Sequence, residues 1–484
     1  MSTKQALLEA TPNIAMPQWV VESRPQTTAR QDAVGAVDLP VVSGLSLRSN
    51  FAWALAGNVV YAICQWGILV ALVKLGSSLM VGQFSLGLAI ATPVLMFTNL
   101  HLRAVQATDA MHHYSFAEYR LLRCIMTLSA IALIAGIASV QNYGRQTTMI
   151  ILVVALAKGT ETFSDIHYGL FQVNDRLDQA GISMMLRGAF SVVALSAGLY
   201  LTHSALWGCV GLALVWLAAL FLFDVPRGRR FVAPSGMSSQ PLAWLGERQP
   251  ERRATLQRQW NLMRLALPLG VMTTLASINL NMPRYFIEAR LGVHKLGVFS
   301  ALAYSTVALT LVSDSLGQCA IPRMSRLYAA GEVAEFRSVL LQLTGLGCVL
   351  GLAGLAAAQV MGTWLLTAFF SPEYAGSSRV FVVLMIATAL HCVAGMLTSG
   401  IMSARYFQVQ VSMLVLAVVS NAFACYRLVP SMGLVGGAVA MVFGATVRLV
   451  LTAAVVTYLF WIRSRPVAEK RMTPACIDPW NPSL

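Results

Sequence analysis

The chain has 484 residues, 57% hydrophobic and 11% charged, with a mean hydropathy of +0.67. Soluble domains carry about 25% charged residues, so this composition excludes a large soluble domain and fits a polytopic membrane protein. The formal net charge of +14 lies mostly in loops, which points to membrane topology and away from nucleic acid.

Residues 1–48 hold no apolar run long enough for a secretory signal, and "PQTTARQDAVGA" is expected to be part of a disordered cytoplasmic tail. Twelve apolar segments of membrane-crossing length follow, at 50–73, 79–99, 119–140, 147–171, 181–202, 205–223, 263–287, 296–317, 337–361, 378–400, 407–427 and 434–461. They divide into an N-lobe, 49–223, and a C-lobe, 263–461. A cytoplasmic linker, 224–262, joins them and carries "PRGRR" and "ERQPERR"; a cytoplasmic tail, 462–484, ends the chain. With the N-terminus in the cytoplasm, the inner segments hold 24 Lys and Arg and the outer segments six. That bias predicts both termini inside. The outer loops are short, so no external domain is expected to carry an active site. The eight cysteines include no CxxC or Cys/His cluster; they are expected to be free, buried thiols, with no metal site.

The halves are repeated. Gly82-x-Phe84-Ser85 follows the first span of one half, and Gly297-x-Phe299-Ser300 follows the first span of the other. Six spans per half, entered from the same face, predict parallel repeats about an axis along the membrane normal.

Several polar residues lie at membrane depth, where charge is costly. In "ALAKGTETFSDIHYGLF" (155–171) each helical residue turns about 100°. Lys158, Glu161, Thr162, Asp165 and Gln172 therefore share one face. Two readings stand side by side. Lys158 and Glu161 form a self-neutralising i,i+3 pair, or the stripe walls a cavity with carboxylates able to bind a proton or cation. In span 7, Thr273, Ser277, Asn281 and Arg284 form a second stripe, flanked by Pro268 and Pro283, which allow bending. Arg284 alternatively snorkels to the outer interface. Asn58 and Gln65 share a face of span 1 and suit hydrogen bonding between helices. Asp314 caps the inner end of span 8 or pairs with Arg323 or Arg326. Arg448, deep in span 12, needs an acidic partner or an anionic ligand. His391 is expected to be a satisfied core histidine. Glu161, Asp165 and Asp314 are the candidate ion-coupling groups. No phosphate-binding loop, nucleophile elbow or metal spacing appears. Transport, if that is the task, would use ion gradients or downstream coupling, without cofactor.

"NLNMPRYFIEARLGVHKLGVFSALAYSTVA" (279–308) with "LGQCAIPRMSRLYAAGE" (316–332) resembles span 7 to span 8 and the following loop of bacterial polysaccharide flippases. These are the O-antigen (Wzx-type) flippases of the multidrug/oligosaccharidyl-lipid/polysaccharide exporter superfamily. Residues 50–89 are similar to their first two spans, and the resemblance extends from 48 to about 460. It implies an all-α polytopic membrane protein of about twelve transmembrane helices, with two six-helix lobes around a central cavity that opens alternately to each side. It implies a location in the bacterial inner membrane and a role in lipopolysaccharide or exopolysaccharide assembly. The implied partners are polyprenyl-diphosphate-linked oligosaccharide and membrane lipids, with polysaccharide polymerase and glycosyltransferases as neighbours. Arg284 in "NMPRYF" is the residue carried over by position. Lys158 and Arg448 join it as substrate-binding candidates on depth and face, with Asn281 and Ser277 beside Arg284. A drug or metabolite antiporter of the same superfamily, or an exporter of another lipid-linked or free glycan, are the alternatives. A membrane polymerase or ligase would be expected to carry a large outer loop, which this chain lacks.

The charge bias makes a topological prediction. A single cysteine introduced in 224–262 should react with an impermeant thiol reagent only from the cytoplasm, and one in 141–146 only from outside. Reversed labelling would invert every depth assigned above.

Overall fold

A computed structural model describes residues 45–109, 113–141, 143–231, 252–370, 372–404 and 406–464. The expected disordered tail up to residue 44, the middle of the linker (232–251) and the tail from 465 lie outside the described residues. The described part is helical, without strands. The helices are α1 (Leu47–Leu75), α2 (Ser78–Asn99), α3 (Leu102–Thr108), α4 (Phe116–Val140), α5 (Arg145–Val173), α6 (Leu177–Thr202), α7 (Ala205–Ala218), α8 (Val225–Arg229), α9 (Arg252–Tyr304), α10 (Val307–Ala330), α11 (Val333–Phe369), α12 (Ser378–Ser403) and α13 (Phe407–Ser464). A π-helical turn, Ala219–Asp224, joins α7 to α8.

Local chemistry sets several of the ends. Ser46 and Ser77 cap α1 and α2 by accepting from Ser49 N and Met80 N, and Ser115 with Glu118 closes a capping box on α4. Helices α9 and α13 are each too long for one crossing. Gly292 (φ 82°) breaks α9 and Gly433 (φ 60°) breaks α13, at positive φ that suits only glycine. Gly433 divides α13 into two stretches each long enough to cross, whereas the part of α9 beyond Gly292 ends at Tyr304 and needs α10 to complete a crossing. Among the described residues, nine stretches of helix are long and apolar enough to cross a membrane, α9 and α13 counting once each. The more polar α5 and α10 are not among them.

Two boundaries differ from the sequence expectation. Span 8 is not one straight helix over 296–317: a turn at Ser305 and Thr306 separates α9 from α10. The segment 224–262 is helical at both ends, through α8 and the start of α9, and its first residue, Asp224, is fully buried. The cysteines also differ. All seven among the described residues are free, but Cys319 and Cys348 are exposed rather than buried.

Small residues bring the helices together, as expected where apolar side chains gain little over lipid. Gly57 on α1 packs directly on Gly181 of α6, Gly159 of α5 on Thr127 of α4, and Gly351 of α11 on Ala389 of α12. Large side chains such as Leu128, Leu222 and Val360 stay exposed on the outer surface, as membrane-facing positions should.

The repeated motifs meet each other. A Cβ on Gly82 would fall on the carbonyl oxygen of Val293, and one on Gly297 would fall on the carbonyl oxygen of Ser78. Val293 lies four residues before Gly297, and Ser78 four before Gly82. The contact is therefore reciprocal, which is what a two-fold axis passing between the two segments requires. Ser85 and Ser300, and Phe84 and Phe299, are correspondingly buried. Ser78 Oγ meets His294 Nε2 at 2.6 Å beside the crossing. Lys74 Nζ donates to Ala368 O at 2.7 Å across the same end. From there α2 and α9 run together: Tyr285 OH donates to Ala89 O, and Gly270 packs on Phe97 and Leu100.

Even one methyl group has no room at this crossing. Gly297→Ala should therefore destabilise the protein by about 1–3 kcal/mol, the usual cost of overpacking. The effect should appear as a lower thermal midpoint in detergent. An unchanged midpoint would mean that the two halves are not held at these glycines.

Candidate functional site

The α5 stripe faces inward as one wall. Lys158, Glu161, Thr162 and Asp165, with Tyr168, line a cavity of about 230 Å³. Its other walls are Thr92, Leu95, Met96 and Asn99 of α2, Arg103 of α3 and Met184 of α6. Helical spacing places the stripe; the packing of α2 and α6 leaves the space in front of it.

The two readings of Lys158 turn out to be compatible. Lys158 Nζ lies 2.7 Å from Glu161 Oε2, so the i,i+3 pair exists. Both residues also line the cavity and keep about a quarter of their side chains exposed. Glu161 has a second partner: Tyr61 OH donates to its Oε1 at 2.6 Å. Lys158 in turn lies 5.1 Å from the ring centroid of Trp216, a cation–π distance. Asp165 pairs elsewhere, with Arg103 Nη1 at 3.6 Å and Arg123 Nη2 at 3.7 Å.

Several of these partners lay outside the sequence expectation. The charge count groups Arg103 and Arg123 with the inner segment 100–123, while Arg123 also falls within the span 119–140. Arg123 is fully buried, and its Nη1 donates to both the backbone and side-chain oxygens of Asn99. Behind the cavity, Arg187 of α6 donates to Tyr168 OH at 2.7 Å and to Asp224 Oδ2 at 3.4 Å. Asp224 sits in the π-helical turn, and both members of this ion pair are essentially unexposed. A buried pair of this kind holds only while both members remain. Arg123 lay in the run "LLRCIMTL" and Arg187 inside a span, so depth was the available signal for each. Nothing local marked Asp224.

In the C-terminal half, Asn281 and Arg284 meet as their spacing predicts, with Arg284 Nη1 donating to Asn281 Oδ1 at 2.7 Å. Asn281 Nδ2 is tied to Ser277 O. Arg284 is 9% exposed and lies 5.4 Å from the ring centroid of Tyr304. It does not snorkel. It forms no ion pair with a described residue, and its buried Nε has no hydrogen-bond partner. Arg448 contacts His391 Nδ1 at 3.3 Å. At that distance the guanidinium donates, so His391 Nδ1 accepts. Asp314 lies within Coulombic reach of Arg448 without forming an ion pair; neither Arg323 nor Arg326 pairs with it. Asn58, expected to bond a neighbouring helix, donates to Ala54 O of its own.

No family model matches the chain. It is 25% identical over 402 residues to the capsular polysaccharide biosynthesis protein CapF of Staphylococcus aureus, covering 83% of this chain and 97% of CapF. A further relative is the EPS I polysaccharide export inner membrane protein EpsE of Ralstonia solanacearum, 28% identical over 185 residues, which span 36% of this chain and 41% of EpsE. Among solved structures, the lipid II flippase MurJ in an inward closed conformation superposes with a TM-score of 0.66 at 10% identity, over 87% of this chain and 89% of MurJ. An inward-facing multidrug resistance MATE transporter of the MOP superfamily gives 0.60 at 14%, over 89% of this chain and 97% of that one. The chain is thus similar to CapF along nearly the whole of that protein and shares the fold of MurJ and of the MATE transporter. The resemblance seen in residues 279–332 extends over most of the chain, 83% of it in the match to CapF. The α5 cavity lies in the N-terminal half of that fold, and Arg284 and Arg448 lie in the C-terminal half.

The Lys158–Glu161 pair can be separated from the cavity's other groups by a double-mutant cycle. Lys158→Met leaves Glu161 with only Tyr61, and Glu161→Gln leaves Lys158 with only Trp216. Each single change should lower the thermal midpoint more than the pair of changes together, because a lone charge is the costly state. The double variant should still fold yet transport poorly. Normal transport by a well-expressed double variant would reduce the pair to helix packing.

Proposed function

We propose that the chain moves polyprenyl-diphosphate-linked oligosaccharide repeat units across the bacterial inner membrane by alternating access, for surface polysaccharide assembly. More coarsely, it is a membrane transporter of polysaccharide assembly. Similarity to CapF along nearly the whole of that protein supports this reading, as does the fold shared with MurJ. The observation that carries the diphosphate is the surplus of buried guanidinium donors. Arg284 has no carboxylate partner among the described residues, and its free Nε is held in place by Asn281 and Tyr304. A planar fork in that state suits phosphate.

The head group is the part that needs a protein route. A diphosphate and several sugars cannot enter hydrocarbon unaided, whereas the prenyl tail can stay in the bilayer throughout. The residues bind and orient; no bond is made or broken, so the chain is not an enzyme in this reading. Its termini are placed in the cytoplasm by the charge bias of the loops. A cation-coupled drug or metabolite antiporter is the second reading. Asp314, an exposed carboxylate facing Arg448 without an ion pair, is the observation that favours it.

Reconstitution with defined lipid-linked oligosaccharide, following head-group exposure, tests the proposal. Arg284→Ala should lower transport at least about tenfold at equal protein level, consistent with one charge-assisted contact. Arg284→Lys should recover only part, since lysine offers a point charge without the fork. A fully active Ala variant would remove Arg284 from the binding machinery. Transport of small cations in preference to lipid-linked saccharide would favour the antiporter.

A further inference from the structure

We propose that Arg103 and Arg123, held by Gln172 and Asn99, form a phosphoryl-binding clamp in the N-terminal half, and that Asp165 occupies this clamp as a built-in competitor. The inference rests on the transport reading above and adds to it a second anion site with its own regulation.

The first observation is geometric. Asp165 reaches Arg103 Nη1 at 3.6 Å with one oxygen and Arg123 Nη2 at 3.7 Å with the other. Charge-assisted N–H···O contacts normally close to about 2.7–2.9 Å. One carboxylate on a short arm therefore bridges two guanidinia without bonding tightly to either. The gap suits something larger with more oxygens.

The second observation is charge. Lys158 and Glu161 satisfy each other at 2.7 Å, and Arg187 is matched by Asp224. Asp165 alone remains for both Arg103 and Arg123. One positive charge is left over at this point, and with Asp165 displaced the two guanidinia match the two negative charges of a lipid-linked diphosphate.

The third observation is the state of Arg123. Its side chain is fully buried, yet Nε and Nη2 have no hydrogen-bond partner. Unsatisfied buried donors on a charged group are expensive. Both arginines are held in place from behind. Arg123 Nη1 is fixed by two oxygens of Asn99. Arg103 Nε donates to Gln172 Oε1 at 3.3 Å, and its guanidinium lies 5.7 Å from the Tyr168 ring centroid. Pre-ordered donors lose little freedom when a ligand arrives. Asn99, Arg103 and Asp165 line the cavity of about 230 Å³, whereas Arg123 is fully buried outside its lining and 3.7 Å from Asp165, so its fork is reached only where Asp165 withdraws. At about 30 Å³ per water the cavity holds roughly seven waters, room enough for a diphosphate.

A diphosphate offers two non-bridging oxygens on each phosphorus and can present them to both forks at once. To do so it must displace Asp165, so Asp165 lowers the affinity for the head group. A transporter gains from such a competitor. Affinity is held low enough for release, and the carboxylate refills the clamp when the substrate leaves.

The test uses the full-length purified protein and inorganic pyrophosphate as probe, with binding read by calorimetry and by the thermal shift it induces. Asp165→Asn should bind pyrophosphate about tenfold more tightly than the unaltered protein, and Arg103→Gln about tenfold more weakly, the scale of one charge-assisted contact. Arg123→Lys should also weaken binding; because Arg123 is buried, the thermal midpoint without ligand reports whether that variant is folded. Arg103, about one-third exposed, supplies the variant that does not depend on that check. Unchanged or weaker binding by Asp165→Asn, unchanged binding by Arg103→Gln, or no binding by the unaltered protein would each overturn the clamp. Head-group transport measured on the same samples keeps the two ideas apart. Normal transport by Arg103→Gln with unchanged pyrophosphate affinity removes the clamp and leaves the transport reading standing. Failure of the unaltered protein to move lipid-linked oligosaccharide removes the transport reading, while the pyrophosphate affinities still decide the clamp.

Discussion

A charge carried into a membrane must find a counter-charge, a dense set of dipoles or a ligand. Much of the N-terminal half is arranged around that demand. Lys158 is answered by Glu161 and Trp216, and Arg187 by Asp224, Tyr168 and Trp216. With Tyr61 donating to Glu161, these contacts tie α1, α5, α6, α7 and the π-helical turn together through side chains rather than through apolar area alone. Buried guanidinium nitrogens without a hydrogen-bond partner remain on Arg123, Arg187 and Arg284. Of these, Arg187 has an ion pair at 3.4 Å, Arg123 shares Asp165 with Arg103, and Arg284 has no ion pair with a described residue; the last two are the ones proposed to meet substrate.

The halves handle charge differently. The N-terminal half surrounds its cations with carboxylates and aromatic rings. The C-terminal half holds Arg284 and Arg448 with amide, imidazole and ring partners, and Asp314 stays short of an ion pair. A head group moving between the halves would pass from a site with an internal competitor to one without. The glycine crossing of Gly82 and Gly297 bears on the same cycle. It lets two backbones touch at the axis relating the halves, and alternating access would have to open that end. Lys74 to Ala368 and Ser78 to His294 are the polar contacts that would break with it.

Much was legible from the sequence. Apolar length gave the crossings, because a helix in lipid must satisfy its own backbone and run about 20 residues. Helical spacing gave the α5 face and the Asn281–Arg284 contact, because positions three and four apart are neighbours whatever surrounds them. The Gly-x-Phe-Ser repeat was visible, and so was a family resemblance with which the similarity to CapF and the fold shared with MurJ agree.

What only the tertiary structure decided was which groups meet across helices. Asp165 lies far in sequence from Arg103 and Arg123, and Asp224 far from Arg187; no periodicity links them. Counting arginines by segment groups Arg123 with the inner charges at the start of the span 119–140, because such a count weighs charge and length and cannot see that packing buries the side chain between Asn99 and Asp165. That the two repeat motifs touch each other was likewise beyond the sequence. A repeat fixes that two segments are equivalent, but only packing puts the symmetry axis between them.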